Sequence, residues 1–256
     1  MTEQILQVMR EEGQLMRQAL DICTETKSGP GDLVTNYDRR VQADLERKLL
    51  EILPGAGFLG EEGLDTLPEA DCGTFIIDPI DGTMNFSRSY QRSSISVALV
   101  QGGQVVFGAI YDPYLDEMFH AKRGEGAFLN GRPIRVSDRP LEESLVMIGT
   151  TPYEPDRAPQ TFAIARALFD RTLDFRRSGS AAIDLCSVAA GRAEIFYEYA
   201  LSPWDYAAGG LIIEEAGGKC STFDGTPVSL TNRSSVFACN AVTYDEARSI
   251  LQEALA

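Results

Sequence analysis

Histidine is almost absent from this 256-residue chain, where His120 stands alone. A three-histidine zinc centre is therefore excluded, and a Ser-His-Asp triad would have to be built on His120. The five cysteines (Cys23, Cys72, Cys186, Cys220 and Cys239) are odd in number, far apart and without a CxxC pair. That pattern excludes a disulfide framework or a thiolate zinc site and reads as reduced, mostly buried thiols. Positive charge is scarce: 23 basic residues face 38 acidic ones, a net charge of −15, which argues against nucleic acid or an anionic membrane as a partner. No apolar run reaches membrane-spanning length, and the opening MTEQILQVMREEGQ is amphipathic and acidic rather than a signal peptide. A cytoplasmic protein is the expectation.

What is present is a globular composition, 44% hydrophobic and 24% charged. A chain of this length buries roughly 70–75% of its unfolded surface. The period of the apolar residues predicts a first helix with Ile5, Val8, Met9, Leu15, Met16, Ala19, Leu20 and Cys23 on one stripe, ending before the Gly/Pro loop Lys27 to Asp32. A second helix carries Val41, Leu45, Leu49 and Ile52 and stops at Pro54 and Gly55. From Phe58 the texture becomes strand-like, through FLGEE, TFIIDPID, SSISVALV, QVVFGAIYD, EMFHAKRG and GAFLNG, and predicts an antiparallel sheet. After a loop containing Pro152, Pro155 and Pro159, helix and strand alternate to the end of the chain. This order predicts an α/β class layered sandwich, a single unit over 1–256 with an N-terminal lobe of about 1–145 and a C-terminal lobe of 146–256.

The most demanding string is IIDPIDGTMNF, Ile76 to Phe86. Pro79 fixes φ and Gly82 permits a tight backbone, so Asp78 and Asp81 can be held rigidly at a strand end and face one another around a cation. The amides of Gly82 and Thr83, if they open a helix, make an anion cradle. The plainer alternative is a turn in which both aspartates bond local amides. Glu61 and Glu62 follow an apolar FL pair and by themselves read as a solvated strand edge. In SPWDYAAGG, Ser202, Pro203 and Asp205 suit the N-cap, N1 and N3 positions of a helix, so Asp205 either completes a capping box or serves as a metal ligand; the two roles are compatible. Trp204 reads as a wall, and His120 as a satisfied or surface residue. Taken together, Glu61, Asp78, Asp81 and Asp205 offer only oxygen, which favours magnesium over zinc. Confined to one pocket, four carboxylates repel each other unless cations join them; two or three magnesium ions would turn the pocket into one that attracts phosphate.

Gly60-Glu61-Glu62, Asp78 to Phe86 and Trp204 to Gly209, in this order and with DLVTNYD, GSAAIDLCSVAAGR and EEAGG between and around them, resemble the inositol monophosphatase family of magnesium-dependent, lithium-sensitive phosphatases. The resemblance spans nearly the whole chain. It implies a layered αβαβα sandwich of the inositol monophosphatase and fructose-1,6-bisphosphatase type, and a homodimer. It implies that Glu61, Asp78 and the Ile80 carbonyl bind one magnesium ion and that Asp78, Asp81 and Asp205 bind a second, with a looser third near Glu61. The attacking water would be oriented by Glu61 and Thr83, with Asp38 behind Thr83. Asp81, Gly82, Thr83 and Asp205 would border the substrate, Gly179, Ser180 and Ala181 would touch its ring, and Glu198 would accept hydrogen bonds from adjacent hydroxyls. Inositol monophosphate or a similar polyol or sugar phosphate is then the expected substrate. Fructose 1,6-bisphosphate, 3′-phosphoadenosine 5′-phosphate and histidinol phosphate are alternatives, as is a non-catalytic binding protein of the same fold. After Phe86 the chain reads SRSYQRSS where many relatives carry His-Gly-x-Pro, so Arg88 and Arg92 are expected to add charge near the site and keep a second phosphate in play. Lys27 to Asp32 matches a mobile loop that helps bind metal in relatives.

Overall fold

The structure, a computed structural model, describes residues 1–27, 29, 32–63, 65–66 and 72–256. The chain opens with α1 (Thr2–Arg17), a ribbon of β1 (Thr24–Thr26) and β2 (Leu33–Thr35), and α2 (Asn36–Ile52). There follow β3 (Gly57–Gly60), β4 (Thr74–Asp81), the short helix α3 (Thr83–Ser87), β5 (Ser94–Gln101), β6 (Gln104–Asp112), β7 (Glu117–Lys122), β8 (Ala127–Leu129) and β9 (Arg132–Ile134). The rest of the chain contributes β10 (Leu145–Ile148), α4 (Ala158–Phe169), β11 (Asp174–Arg176), α5 (Ala181–Ala189), β12 (Ile195–Leu201), α6 (Pro203–Glu215), β13 (Lys219–Ser221), β14 (Ser234–Cys239) and α7 (Tyr244–Leu255).

Strands β3 to β9 form a seven-stranded sheet in sequence order, and a five-stranded sheet has the order β11-β10-β12-β14-β13. Side chains alternate across each strand, so one sheet feeds two cores. On β4, Phe75 and Ile77 pack with Ile5, Met9, Val41 and Leu45 of α1 and α2, whereas Ile76 faces the layer built by α5 and α6. On β12 and β14, Phe196, Val236 and Ala238 meet that same middle layer, while Ile195, Tyr197 and Phe237 pack against Ile164, Leu168, Ala247 and Leu251 of α4 and α7. The layers therefore run helix, sheet, helix, sheet, helix: the αβαβα sandwich. Helix α6 is apolar on nearly every side because it lies between two sheets, which its Tyr206, Ala207, Ala208, Leu211, Ile212 and Ile213 satisfy. No helix among the described residues is long and apolar enough to cross a membrane.

Several expectations needed correction. Helix α1 ends at Arg17, so Ala19, Leu20 and Cys23 lie outside it; Leu20 is 77% exposed, and Asp21 turns the chain with a φ of 54°. The sheet is antiparallel from β4 onward, but β3 runs parallel to β4. Strand β10, a four-residue apolar run before the proline-rich loop, is too short to show a period, yet it pairs with both β11 and β12. Of the cysteines, Cys186 and Cys239 are buried, Cys72 and Cys220 half-buried and Cys23 exposed; none is in a disulfide. His120 is half-buried and stacks on Phe128, ring centroids 5.3 Å apart, in β7. Of the loop Lys27 to Asp32, Ser28, Pro30 and Gly31 lie outside the described residues.

Gly108 on β6 lets the seven-stranded sheet approach α6. A Cβ there would stand 2.8 Å from the Ala208 carbonyl oxygen and 2.9 Å from its Cα. Backbone cannot step aside as a flexible side chain can, so Gly108→Ala should destabilise the fold by about 1–3 kcal/mol. Urea unfolding followed by circular dichroism checks this; an unchanged midpoint would mean that the two layers are not packed this closely.

Candidate active site

Two segments from different layers converge. Strand β4 ends at Asp81 in a bulged stretch, where the pairing with β5 shifts between Asp78 and Asp81. Gly82 then takes a φ of 88°, and a Cβ on it would lie 2.9 Å from the Arg92 carbonyl oxygen, so glycine is required there both by conformation and by space. This turn starts α3 at Thr83. From the middle layer comes the N-terminus of α6, with Pro203 in its first turn and Asp205 at N3.

Each acid is held by a fixed donor, local for Asp78 and Asp205 and from the start of α5 for Asp81. The Ile80 N–H donates to Asp78 Oδ1 at 3.0 Å. Asp81 Oδ2 accepts from the Ser180 hydroxyl and, at 2.8 Å, from the Ala182 N–H. The Ser202 N–H donates to Asp205 Oδ2 at 2.7 Å, which is the capping interaction foreseen for Asp205. The plainer reading, a turn whose aspartates bond local amides, holds for one oxygen of Asp78; the donors to Asp81 come from the start of α5, about a hundred residues away. These bonds do not exhaust the acids: Asp78, Asp81 and Asp205 each present a carboxylate oxygen such that all lie within 4.8 Å of one another.

Around them is a cleft of about 280 Å³, lined also by Lys27, Glu61, Ile80, Gly82, Thr83, Tyr153, Trp204 and Arg233. Glu61 follows β3 and stands outside the three-aspartate group; its Oε1 lies 3.1 Å from Lys27 Nζ, which also contacts Glu62. Thr83 Oγ1 has two acceptors in reach, Asp38 Oδ1 at 3.0 Å and the Ile80 carbonyl at 3.1 Å. Asp38 is fully buried and is held in turn by the Thr35 N–H, at 2.8 Å, and the Thr35 hydroxyl, as the capping box of α2.

A second cavity of about 130 Å³ adjoins the cleft and shares Asp81, Gly82, Thr83, Tyr153, Leu201 and Asp205 with it. Gly179, Ser180, Ala181 and Glu198 line it, so the residues expected to meet a substrate ring lie together beside the acids. Glu198 Oε1 accepts from the Thr151 N–H at 2.8 Å. Asn85 ties the floor together, donating to the carbonyls of Arg92 at 2.6 Å and Ser178 at 2.9 Å. Arg88 and Arg92 do not fulfil their expectation. Arg88 is exposed and lines neither space; Arg92 points to Asp112, 3.6 Å away, in a separate cavity with Arg176 and Arg192. Sequence reasoning also passed over Tyr153, Arg177, Asp184 and Arg233, all of which line these spaces. Asp184 had a usable signal, an acid inside the apolar run SAAIDLCSVAAG; Tyr153, in a proline-rich loop, had none.

The electrostatics follow from crowding. Burial, reinforced by Glu61, Asp81 and Asp205, holds Asp78 well above the ordinary carboxylate range, and burial together with Asp81 and Glu61 does the same to Asp205. Burial pushes Glu61 up to about 7 against the opposing pull of Lys27, and Asp81 to about 6 against its hydrogen bonds from Ser180 and Ala182. Hard oxygen donors that repel one another in a partly closed cleft match a divalent cation of the magnesium type.

An acid cluster of this kind, beside a glycine turn that opens a helix, is the equipment of a metal-assisted phosphate-ester hydrolase. Comparison with known proteins agrees. The family model described as "Inositol monophosphatase family" matches residues 1–256. The chain is 37% identical over 236 residues to the inositol-1-monophosphatase of Bacillus subtilis, covering 91% of this chain and 89% of that protein. It is 36% identical to the fructose-1,6-bisphosphatase/inositol-1-monophosphatase of Thermotoga maritima, covering 90% and 86%. The crystal structure of the extragenic suppressor protein suhB from Bartonella henselae superposes with a TM-score of 0.92 at 33% identity, covering 98% of each chain. The chain belongs to the inositol monophosphatase family, whose members are metal-dependent phosphoric monoester hydrolases.

Protons and cations compete for these acids, and the sign of the pH effect follows. Unfolded Asp and Glu titrate near pH 4, whereas folded Asp81 lies at about 6 and Glu61 at about 7. A group raised on folding contributes stability that is fully present below the unfolded value and lost as pH rises through the folded one. A divalent cation bound among these acids would remove that loss, so the gain in Tm on adding magnesium to chelator-treated protein should grow between about pH 5 and 7.5, to about 5–10 °C. Calorimetric scans across this range check it; a gain that shrinks as pH rises would contradict the picture.

Proposed function

We propose that this protein is a magnesium-dependent phosphomonoesterase acting on inositol monophosphate or a similar polyol or sugar phosphate. The observation that carries the reading is the convergence of Asp78, Asp81 and Asp205 within 4.8 Å, at a cleft that opens on Gly82 and Thr83. Glu61, Asp78 and the Ile80 carbonyl would hold one ion, and Asp78, Asp81 and Asp205 another. When bound there, the ions supply Lewis acidity, which lowers the pKa of a water and stabilises charge on the leaving oxygen.

The remaining work belongs to the chain's own groups. Thr83 has one hydroxyl proton and two acceptors for it, Asp38 and the Ile80 carbonyl. With its proton so placed, the Thr83 oxygen keeps a lone pair to accept from a water, and Asp38, fixed by Thr35, keeps Thr83 from rotating away. The Gly82 and Thr83 amides, at the cleft, would bind phosphate oxygens. Trp204 and Tyr153 wall the cleft. The adjoining cavity, with Gly179, Ser180, Ala181 and Glu198, would receive the alcohol part of the ester. No histidine base is needed, consistent with His120 in a distant strand. The two lobes act, on this reading, as one catalytic unit, with Asp78 and Asp81 from β4 of the first and Asp205 from α6 of the second. Lithium sensitivity and a homodimer belong to the same proposal.

The name of the Thermotoga maritima relative favours a second reading, a fructose-1,6-bisphosphatase activity alongside the first. The common chemistry is tested by phosphate release from inositol 1-phosphate. Losing several kcal/mol of charge stabilisation, Asp78→Asn and Asp205→Asn should each slow turnover about a thousandfold or more, with the far-ultraviolet dichroism unchanged. Chelation should abolish the wild-type rate and magnesium restore it. Undiminished release from either folded variant would refute the assignment.

A further inference from the structure

The cavity beside the acid cluster holds one carboxyl to which neither the motifs nor the family resemblance gives a task. Asp184 sits in the first turn of α5, amid Ala181, Ala182, Ile183 and Leu185, and is 2% exposed. It lines the cavity together with Glu198 and Arg177. Ser178 hydrogen-bonds to the carboxyl, but Oδ1 has no partner among the described residues. A buried polar oxygen left unpaired costs the protein stability, and a bound group that pairs with it would offset that cost. The cavity that Asp184 lines opens directly onto the cleft, with Asp81, Gly82, Thr83 and Asp205 common to both.

The charges facing this space narrow what can fill it. Asp81 and Asp205 stand on the cleft side, Asp184 and Glu198 line the remainder, and Arg177 is the one cation among the described lining residues. Arg177 acts on Glu198, offsetting the carboxylate's charge. Arg92, which could have met a second phosphate, faces Asp112 in a neighbouring cavity that shares Arg177 with this one. A second phosphate placed here would find a single arginine already opposed by acids. A carbon skeleton bearing adjacent hydroxyls would find acceptors, because a carboxyl group accepts a hydroxyl hydrogen bond in either protonation state.

We infer that Asp184 is a specificity-determining residue, pairing with Glu198 to take the hydroxyls of a polyol monophosphate and to disfavour substrates that carry a second phosphate on that side. This rests on the phosphomonoesterase reading and names its substrate class. The test measures kcat and KM for inositol 1-phosphate, fructose 1,6-bisphosphate and 4-nitrophenyl phosphate, which has no alcohol hydroxyls. Wild type, D184N and D184L are compared, each with its magnesium requirement. Wild type should prefer inositol 1-phosphate to the bisphosphate by at least about tenfold in kcat/KM. D184L should raise KM for inositol 1-phosphate about tenfold or more, with kcat, the 4-nitrophenyl phosphate rate and the magnesium for half-activation unchanged. D184N, which still offers an acceptor, should stay within about threefold of wild type. Equal losses on all three substrates would assign Asp184 to structure alone, and an unaffected D184L would mean that only water meets it; either overturns the inference. If D184L does not fold, the wild-type preference decides, and a bisphosphate preference overturns it. Absence of turnover on every ester would instead sink the phosphomonoesterase reading itself.

Discussion

Like charges brought together out of water are the constraint on which this architecture depends. Asp78 is 1% and Asp81 7% exposed, and they share a cleft with Asp205 and Glu61. Left to themselves such groups repel, and the folded chain responds by holding protons more tightly than an unfolded chain does. The fold answers the repulsion by dividing each aspartate's labour. One oxygen is fastened to a fixed donor: Ile80 N–H for Asp78, Ser202 N–H for Asp205 and, from the start of α5, Ser180 and Ala182 for Asp81. Each also brings a carboxylate oxygen within 4.8 Å of the others. Fixing the geometry before a ligand arrives removes reorganisation from the reaction, which is where electrostatic catalysis gains most.

The layered fold is what makes this placement rigid. Asp78 and Asp81 come from the end of β4, buried on both faces between α1, α2 and the middle helical layer. Asp205 comes from α6, whose small residues let it sit against β6 at Gly108. The site thus lies where a strand end of one layer meets a helix start of the next. Phosphoryl transfer asks a protein mainly for position and charge, and this junction supplies both.

Much of this was legible in the residues, for identifiable reasons. The string from Asp78 to Thr83 combines a proline, a glycine and two acids, so its spacing revealed a rigid strand-end turn, while the reading of that turn as a cation site leaned on the whole string and on the family it resembles. Asp205 announced itself through Ser202 and Pro203, because helix capping is also local. The layers followed from long helices with a clear period, such as Val41, Leu45 and Leu49. What failed to show depended on contacts between distant segments. Strand β10 is too short to carry a period, and its identity comes from β11 and β12 on either side. Arg92 looked available to substrate because it follows the motif closely; Asp112, on the neighbouring strand β6, takes it elsewhere. Asp184 was passed over inside a helix because its importance lies in the cavity beside it. Lys27 appeared as part of a loop, and its pairing with Glu61 and Glu62 joins residues 34 and 35 positions apart.

The central claim, that the aspartates converge to hold divalent cations, is tested most directly by anomalous diffraction from crystals grown with manganese. The account predicts an anomalous peak about 2.0–2.2 Å from carboxylate oxygens of Asp78, Asp81 and Asp205, with a further peak sharing Asp78 with Glu61. Crystals in millimolar manganese that show no peak among these side chains, or show it only elsewhere on the surface, would contradict it.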